Sequence, residues 1–212
     1  LGDLGANGMG IPIGKLVLYV VGAGLHPERT LPVLLDVGTN NEQLLNDPLY
    51  LGMDHRRLDD EPFYELVDEF VQAASKKWPR VLIQWEDFTN NRAFPLLERY
   101  RDEVLCFNDD IQGTGAVALA GLLAAMRHLE RPLGEQRILF LGDGSAAVGI
   151  ADTISAGIAD EVGLSVDEAR HRVWMVDSRG LVTRNRDGTL QPHKIPYARD
   201  DAPVSTLLEA VR

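Results

Sequence analysis

RILFLGDGSAAVG, residues 137–149, decides the fold. An apolar run of β type passes directly into a glycine-rich turn, and a helical pattern follows over 146–160. Gly142-x-Gly144-x-x-Ala147 has the spacing of a dinucleotide fingerprint. The first glycine makes the tight turn and the second lets a pyrophosphate approach the backbone. The helix start, Ser145-Ala146-Ala147, offers free N–H groups and the positive end of the helix dipole. The next apolar run, 173–176, ends in Asp177, an acid placed to bind the adenine ribose hydroxyls. It comes later than the usual ~20 residues because 164–172 is inserted, a segment opened by the capping box Ser165 and Glu168. The competing reading is an ordinary glycine turn in a βα unit. Asp143 opposes phosphate binding unless its side chain points away. Asp177 favours NAD over NADP, since a carboxylate repels a 2′-phosphate, although Ser178 and Arg179 follow it and could receive one.

Working toward the N-terminus, VLIQW (81–85) runs into Glu86-Asp87, and VLCF (104–107) runs into Asn108-Asp109-Asp110, with a helix expected over 92–101 between them. A long apolar helix is expected over 116–129. In a parallel sheet both acidic pairs emerge at the carboxyl edge, where open α/β sheets bind ligands. These carboxylates would repel one another if gathered unpaired, and a divalent cation resolves that cost. All-oxygen donors suit Mg²⁺ or Mn²⁺. Taken singly, each pair reads first as a helix cap or a solvated loop, with Asp110 placed to cap the helix that begins near Ile111; taken together with the dinucleotide motif, the metal reading prevails.

The first fourteen residues are dense in glycine and lead to a helix-like run over 15–24 headed by its single charge, Lys15. A lysine there either snorkels to water or, if desolvated beside a carboxylate, acts as a general base. LPVLLDV (31–37) is expected to be a buried strand ending in the turn 38–41, followed by a short helix over 42–46. Residues 61–78 form an amphipathic helix with acids early and lysines late, matching the dipole. RILFL (137–141) is expected to be a buried strand. Beyond Asp177 the chain is polar and turn-rich until a last helical run from Val204.

Composition narrows the function classes. The 212 residues are 45% hydrophobic and 25% charged, with a net charge of -11 and scattered Lys and Arg. No basic face for nucleic acid or anionic membrane is expected. The single cysteine, Cys106, lies in an apolar run and reads as a core thiol in a reducing, cytoplasmic setting. The histidines lack metal-site spacing, and no apolar run of membrane-spanning length is expected. The chain starts inside a glycine-rich motif and stops inside a helix-like run, as expected of a fragment.

GDLGANGMGIPIGK (2–15), LPVLLDVGTNN (31–41), NDPLYLG (46–52), QWEDF (84–88), FNDDIQGT (107–114) and ILFLGDGSAAVGIA (138–151) together resemble malic enzyme, the oxidative decarboxylase of malate. The resemblance implies an α/β fold: a parallel sheet with flanking helices leading into a Rossmann-like dinucleotide-binding domain, incomplete at both ends. The catalytic and metal-binding region would cover 1–110, and the first part of the NAD(P)-binding domain 111–212. It also implies roles for named residues. Lys15 is the general base and Asp109 its carboxylate partner, while Glu86, Asp87 and Asp110 hold Mg²⁺ or Mn²⁺. Asn90 and Thr114 lie near the nicotinamide half of NAD, with NADP as the other cofactor. Malate is the implied substrate, and the family usually forms homo-oligomers. The general acid and substrate arginine would lie outside this chain. Gly115 stands where the family more often has alanine, a change that helix packing is expected to tolerate. A malolactic enzyme, a catalytically inert dinucleotide-binding fragment and a carboxylate-metal phosphohydrolase are the rival readings.

Overall fold

The computed structural model describes residues 3–186, 188 and 190–211; for Asn90 and Ser145 only the backbone is described. The chain divides into two compact units, Leu1–Val81 and Leu82–Arg212.

In the first unit, helix α1 covers Gly10–Ala23 and ends on Gly24 in the left-handed conformation, φ 70°. It starts earlier than the sequence reading supposed, so Lys15 lies inside the helix and not at its head. The 3-10 turn Gly5–Met9 precedes it, and the stretch Gly5–Ala23 is long and apolar enough to cross a membrane by length and composition alone. A short helix α2, Glu42–Leu45, is capped by the Asn41 side chain, which accepts from the Gln43 N–H. Helix α3, Asp60–Lys77, buries Phe63, Val67, Val71 and Ala74 at the expected spacing.

Residues 31–37 are not a strand. A strand needs a neighbour for its N–H and C=O groups, and the backbone bonds at this segment's end go instead to an irregular partner. Leu58 N–H donates to Val37 C=O, and Thr39 N–H to His55 C=O, at 3.0 Å each. Leu31 is 61% exposed. Asp3 anchors the turn that follows. Its carboxylate accepts from Asn40 N–H at 2.6 Å and from both Nε and a terminal nitrogen of Arg57. Gly38 has φ 80°, and a Cβ there would stand 2.5 Å from the His55 carbonyl.

The second unit begins with β1 (Ile83–Trp85), α4 (Asn90–Tyr100) and β2 (Cys106–Asn108). Strands β1 and β2 pair in parallel with Trp85 opposite Asn108, so both end at one edge. A π-helical turn, Asp109–Gly113, leads into α5, Thr114–Leu129. Then come β3 (Ile138–Leu141), α6 (Ser145–Val162), α7 (Val166–Arg170), β4 (Val173–Asp177), β5 (Gly180–Leu181) and α8 (Leu207–Val211). Strand β4 runs parallel to β3, and β5 returns antiparallel to β4. The capping box at Ser165 and Glu168 forms as expected.

One core cluster joins Leu133, Ile154, Ile158, Ala159 and Ala169 beneath α5 and β3. A second joins Val148, Ala151, Val173, Met175, Val182, Tyr197 and Ala198. β3 is less buried than expected, with Leu141 73% exposed, because Ile138 and Phe140 pack on these clusters while Leu141 points the other way along the pleat. Residues 82–110 group with the second unit, since β1 pairs with β2 and the π-turn packs on α6.

Candidate dinucleotide and carboxylate site

The glycine turn is built from the end of β3. Gly142 has φ 123°, a conformation open to glycine, and its N–H donates to the Val176 carbonyl at 2.8 Å. Gly144 is the N-cap of α6. Ser145, Ala146 and Ala147 thus form the first turn of an 18-residue helix, with N–H groups that lack intrahelical partners; the Ser145 side chain lies outside the described residues. A dinucleotide pyrophosphate suits this geometry.

Asp143, the residue that argued against phosphate, is paired. Lys194 Nζ stands 2.7 Å from its carboxylate and an Arg186 nitrogen 4.0 Å away. Arg186 also reaches Asp177 at 2.9 Å. The side chains of Asp143, Asp177, Arg186 and Lys194 are all nearly buried. Asp177 ends β4 as expected, and its other oxygen accepts from Arg179 N–H at 2.8 Å. Burial raises the Asp177 pKa, but the Arg179 N–H and the Arg186 guanidinium outweigh it, and the net shift is downward. The carboxylate is therefore ionised where a ribose hydroxyl would meet it.

Sequence reading gave the cations in the tail no role. One of them, Lys194, is delivered by the 3-10 turn Pro192–Tyr197. Tyr197, 1% exposed, donates its hydroxyl to Asp152 on α6 at 2.6 Å, and Arg170 joins the same carboxylate at 3.0 Å. That anchor holds Lys194 beside the glycine turn. His193, next to it, stacks on Phe94 of α4 with centroids 5.1 Å apart; burial, then Lys194, depress its pKa. An isolated polar run such as HKIPY carries no local signal for this arrangement.

At the β1–β2 edge, Glu86 is half-buried and Asp87 exposed, and Asp87 takes a left-handed φ of 56°. Asp110 does not cap the helix. One of its carboxylate oxygens accepts from the Asp87 N–H at 2.9 Å, which ties the two strand ends together. The cap is Asn108, fully buried, whose side-chain oxygen accepts from Ile111 N–H at 3.0 Å. Gln112 completes the turn by accepting from Asn108 N–H. The three carboxylates have the donor chemistry of a hard cation, and β1–β2 pairing brings Asp87 and Asp110 together. Among the described residues, however, no three His, Cys, Asp or Glu side chains are gathered to hold a metal.

Asp109 opens the π-turn and is half-buried; its carbonyl accepts from the Thr114 hydroxyl at 3.2 Å. Thr114, exposed at the start of α5, thus serves the turn. Asn90 begins α4, and its side chain lies outside the described residues. Lys15 is half-buried on α1 of the first unit.

The turn docks directly on the nucleotide helix. At Gly149 of α6 a Cβ would stand 2.5 Å from the Ile111 carbonyl and 2.8 Å from its Cα, so only glycine allows this approach. Gly115 is equally confined: a Cβ would collide with the Thr153 hydroxyl and lie 2.9 Å from the Gly149 carbonyl. Glycine in place of the family's commoner alanine thus fits the packing of this chain, whose Thr153 fills the space of a methyl.

A parallel strand, glycine turn and helix, with an acid ending the next strand, define the class as an α/β protein with a Rossmann-like dinucleotide-binding fold. Two family models cover the chain in succession: the malic enzyme N-terminal domain matches residues 1–101 and the malic enzyme NAD-binding domain residues 111–212. An NADP-dependent malic enzyme of Dictyostelium discoideum is 53% identical over the whole chain, which covers 39% of that protein. An NAD-dependent malic enzyme of Cronobacter sakazakii is 58% identical over 94% of this chain and 36% of its own length. The crystal structure of Entamoeba histolytica malic enzyme superposes with a TM-score of 0.59 at 25% identity, over 85% of this chain and 31% of that one. The chain belongs to the malic enzyme family, and it spans well under half the length of these relatives.

Proposed function

We propose that the protein oxidises and decarboxylates (S)-malate to pyruvate and CO₂ with reduction of NAD or NADP. The observation that carries this reading is the docking of the acid-bearing turn on the nucleotide helix at Gly149. It fixes strand-end carboxylates against the element that would carry the cofactor, as a hydride transfer beside a carboxylate substrate requires.

In this reading Lys15 accepts the proton of the malate C2 hydroxyl, and Asp109 is the carboxylate that holds and relays it. Glu86, Asp87 and Asp110 would hold Mg²⁺ or Mn²⁺; such a cation supplies charge stabilisation to the oxygen that becomes negative as CO₂ departs. The Gly142–Ala147 turn binds the pyrophosphate, Asp177 orients the adenine ribose, and Asn90 and Thr114 stand near the nicotinamide. Around Asp143 and Asp177 lie Arg179, Arg186 and Lys194. Their charges offset the repulsion of a 2′-phosphate by the two acids. We therefore expect both dinucleotides to be used, with kcat/KM values within about 100-fold of each other. A small-molecule enzyme of this kind fits a homo-oligomer in the cytoplasm.

Product analysis of the full-length protein tests the activity: pyruvate formed with equimolar reduced dinucleotide is expected. Lactate without net reduction would indicate a malolactic reaction instead. Chelation with EDTA should abolish turnover and added Mn²⁺ restore it; turnover indifferent to chelator would remove the metal assignment. Lys15→Ala should reduce kcat by about 10³-fold while NAD affinity holds. Unchanged turnover would overturn the base assignment.

A further inference from the structure

We infer that Gly113 is a positioning residue for the Asp109 carboxylate: the space of its absent Cβ is the space that the carboxylate occupies. The inference rests on the proposed proton-transfer role of Asp109.

Gly113 closes the π-turn at φ -64° and ψ -49°. This is ordinary right-handed helical backbone, open to every residue, so conformation does not call for glycine. Glycine is also a poorer helix residue than alanine, so local stability does not call for it. What a Cβ would meet is the side chain of Asp109 alone among its three nearest atoms: Oδ1, then Cγ at 3.0 Å and Cβ at 3.7 Å. The two residues are four apart, on the same face of the turn, and helical Cβ atoms lean toward the preceding turn. The missing methyl thus leaves a berth for one carboxylate.

Gly149 shows the contrast. There the obstructing atoms are the Ile111 carbonyl, Cα and carbonyl carbon, so a methyl would push backbone. At Gly113 it would push the end of a side chain, which can rotate to another staggered well. Gly113→Ala should therefore fold and yet turn the Asp109 carboxylate away from its present position. The neighbouring hydrogen bonds of the turn, Asn108 to Ile111 and Gln112 to Asn108, involve other groups and remain.

The test uses the full-length protein with Gly113→Ala, Asp109→Asn and the double variant. For Gly113→Ala we expect kcat to fall about 10²-fold, as misplacement of a reacting group by an ångström or so can do. The melting temperature should be unchanged or raised, and NAD affinity by titration calorimetry should stay within about 2-fold. On the Asp109→Asn background, Gly113→Ala should add less than about 2-fold. Asp109→Asn turning over at full speed would remove the role of Asp109 itself. Asp109→Asn slow with Gly113→Ala at full speed would overturn the positioning role alone. A Gly113→Ala protein that melts lower and loses NAD binding would make the glycine a folding residue and overturn the inference, as would a crystal structure of it with the carboxylate in place.

Discussion

Asp143 changes meaning once its partner is known. Alone in a phosphate loop it repels a dinucleotide; with Lys194 at 2.7 Å and Arg186 close by, it is a neutralised brace between the loop and the tail. If so, Lys194→Met should weaken NAD binding by roughly 10-fold, because a nearly buried carboxylate is then left unpaired beside the pyrophosphate. Adding Asp143→Asn should restore most of the loss, and calorimetric titration of both variants checks it. A double variant as weak as Lys194→Met would show the lysine to act by itself. Asn108 gives a second lesson at this scale. Acids are the commoner thought for a cap beside two aspartates, but the amide lies first in the run and is fully buried, and its oxygen reaches the free Ile111 N–H. That frees the Asp110 carboxylate to bond the neighbouring strand.

Among the elements, α6 and the π-turn meet backbone to backbone at Gly149. Gly149→Ala would drive a methyl into the Ile111 backbone, so it should destabilise the protein by about 1–3 kcal/mol, read from the denaturant midpoint. A neutral result would mean that the turn can slide on the helix. Gly115→Ala should also destabilise, and Thr153→Ala beside it should recover part of the loss, since the Thr153 hydroxyl is what a Cβ meets first. The helices were legible because their signals are local: the period of Phe63, Val67 and Val71, and the Ser165 and Glu168 capping box. The strand expected at 31–37 failed because a short apolar run before a turn shows only that a segment can pair. Its hydrogen-bond partners turned out to be the irregular chain near His55 and Leu58.

For the molecule as a whole, the ionisable groups set a pH window of stability. Asp3, held low chiefly by Arg57, and Glu168, held low chiefly by Ser165, both have folded pKa values below their unfolded ones, as does Asp177 against its burial. Their contributions are complete above the unfolded carboxylate range and fade as pH falls through the folded values. His193 is also depressed, so its contribution starts to fade below about pH 6.5. Tyr197 is raised, by burial first and then by Asp152, so the unfolded chain ionises more readily and stability declines above about pH 10. Thermal melts should thus show a plateau from about pH 6.5 to about 10 that falls on both sides; a maximum near pH 4 would contradict it.

The sequence by itself determined the helices, the glycine turn before α6, the acids that end β1, β2 and β4, and the family, because each is carried by neighbours in the chain or by ordered motifs. Only the tertiary structure decided which charge meets which: Asp143 with Lys194, Asp177 with Arg186, and Asp110 with the Asp87 backbone. It also decided that Gly113 leaves room for a side chain while Gly149 leaves room for a backbone. The reason is that pairing and close approach depend on distances through space, and residues far apart in the chain meet only when strands pair and helices dock.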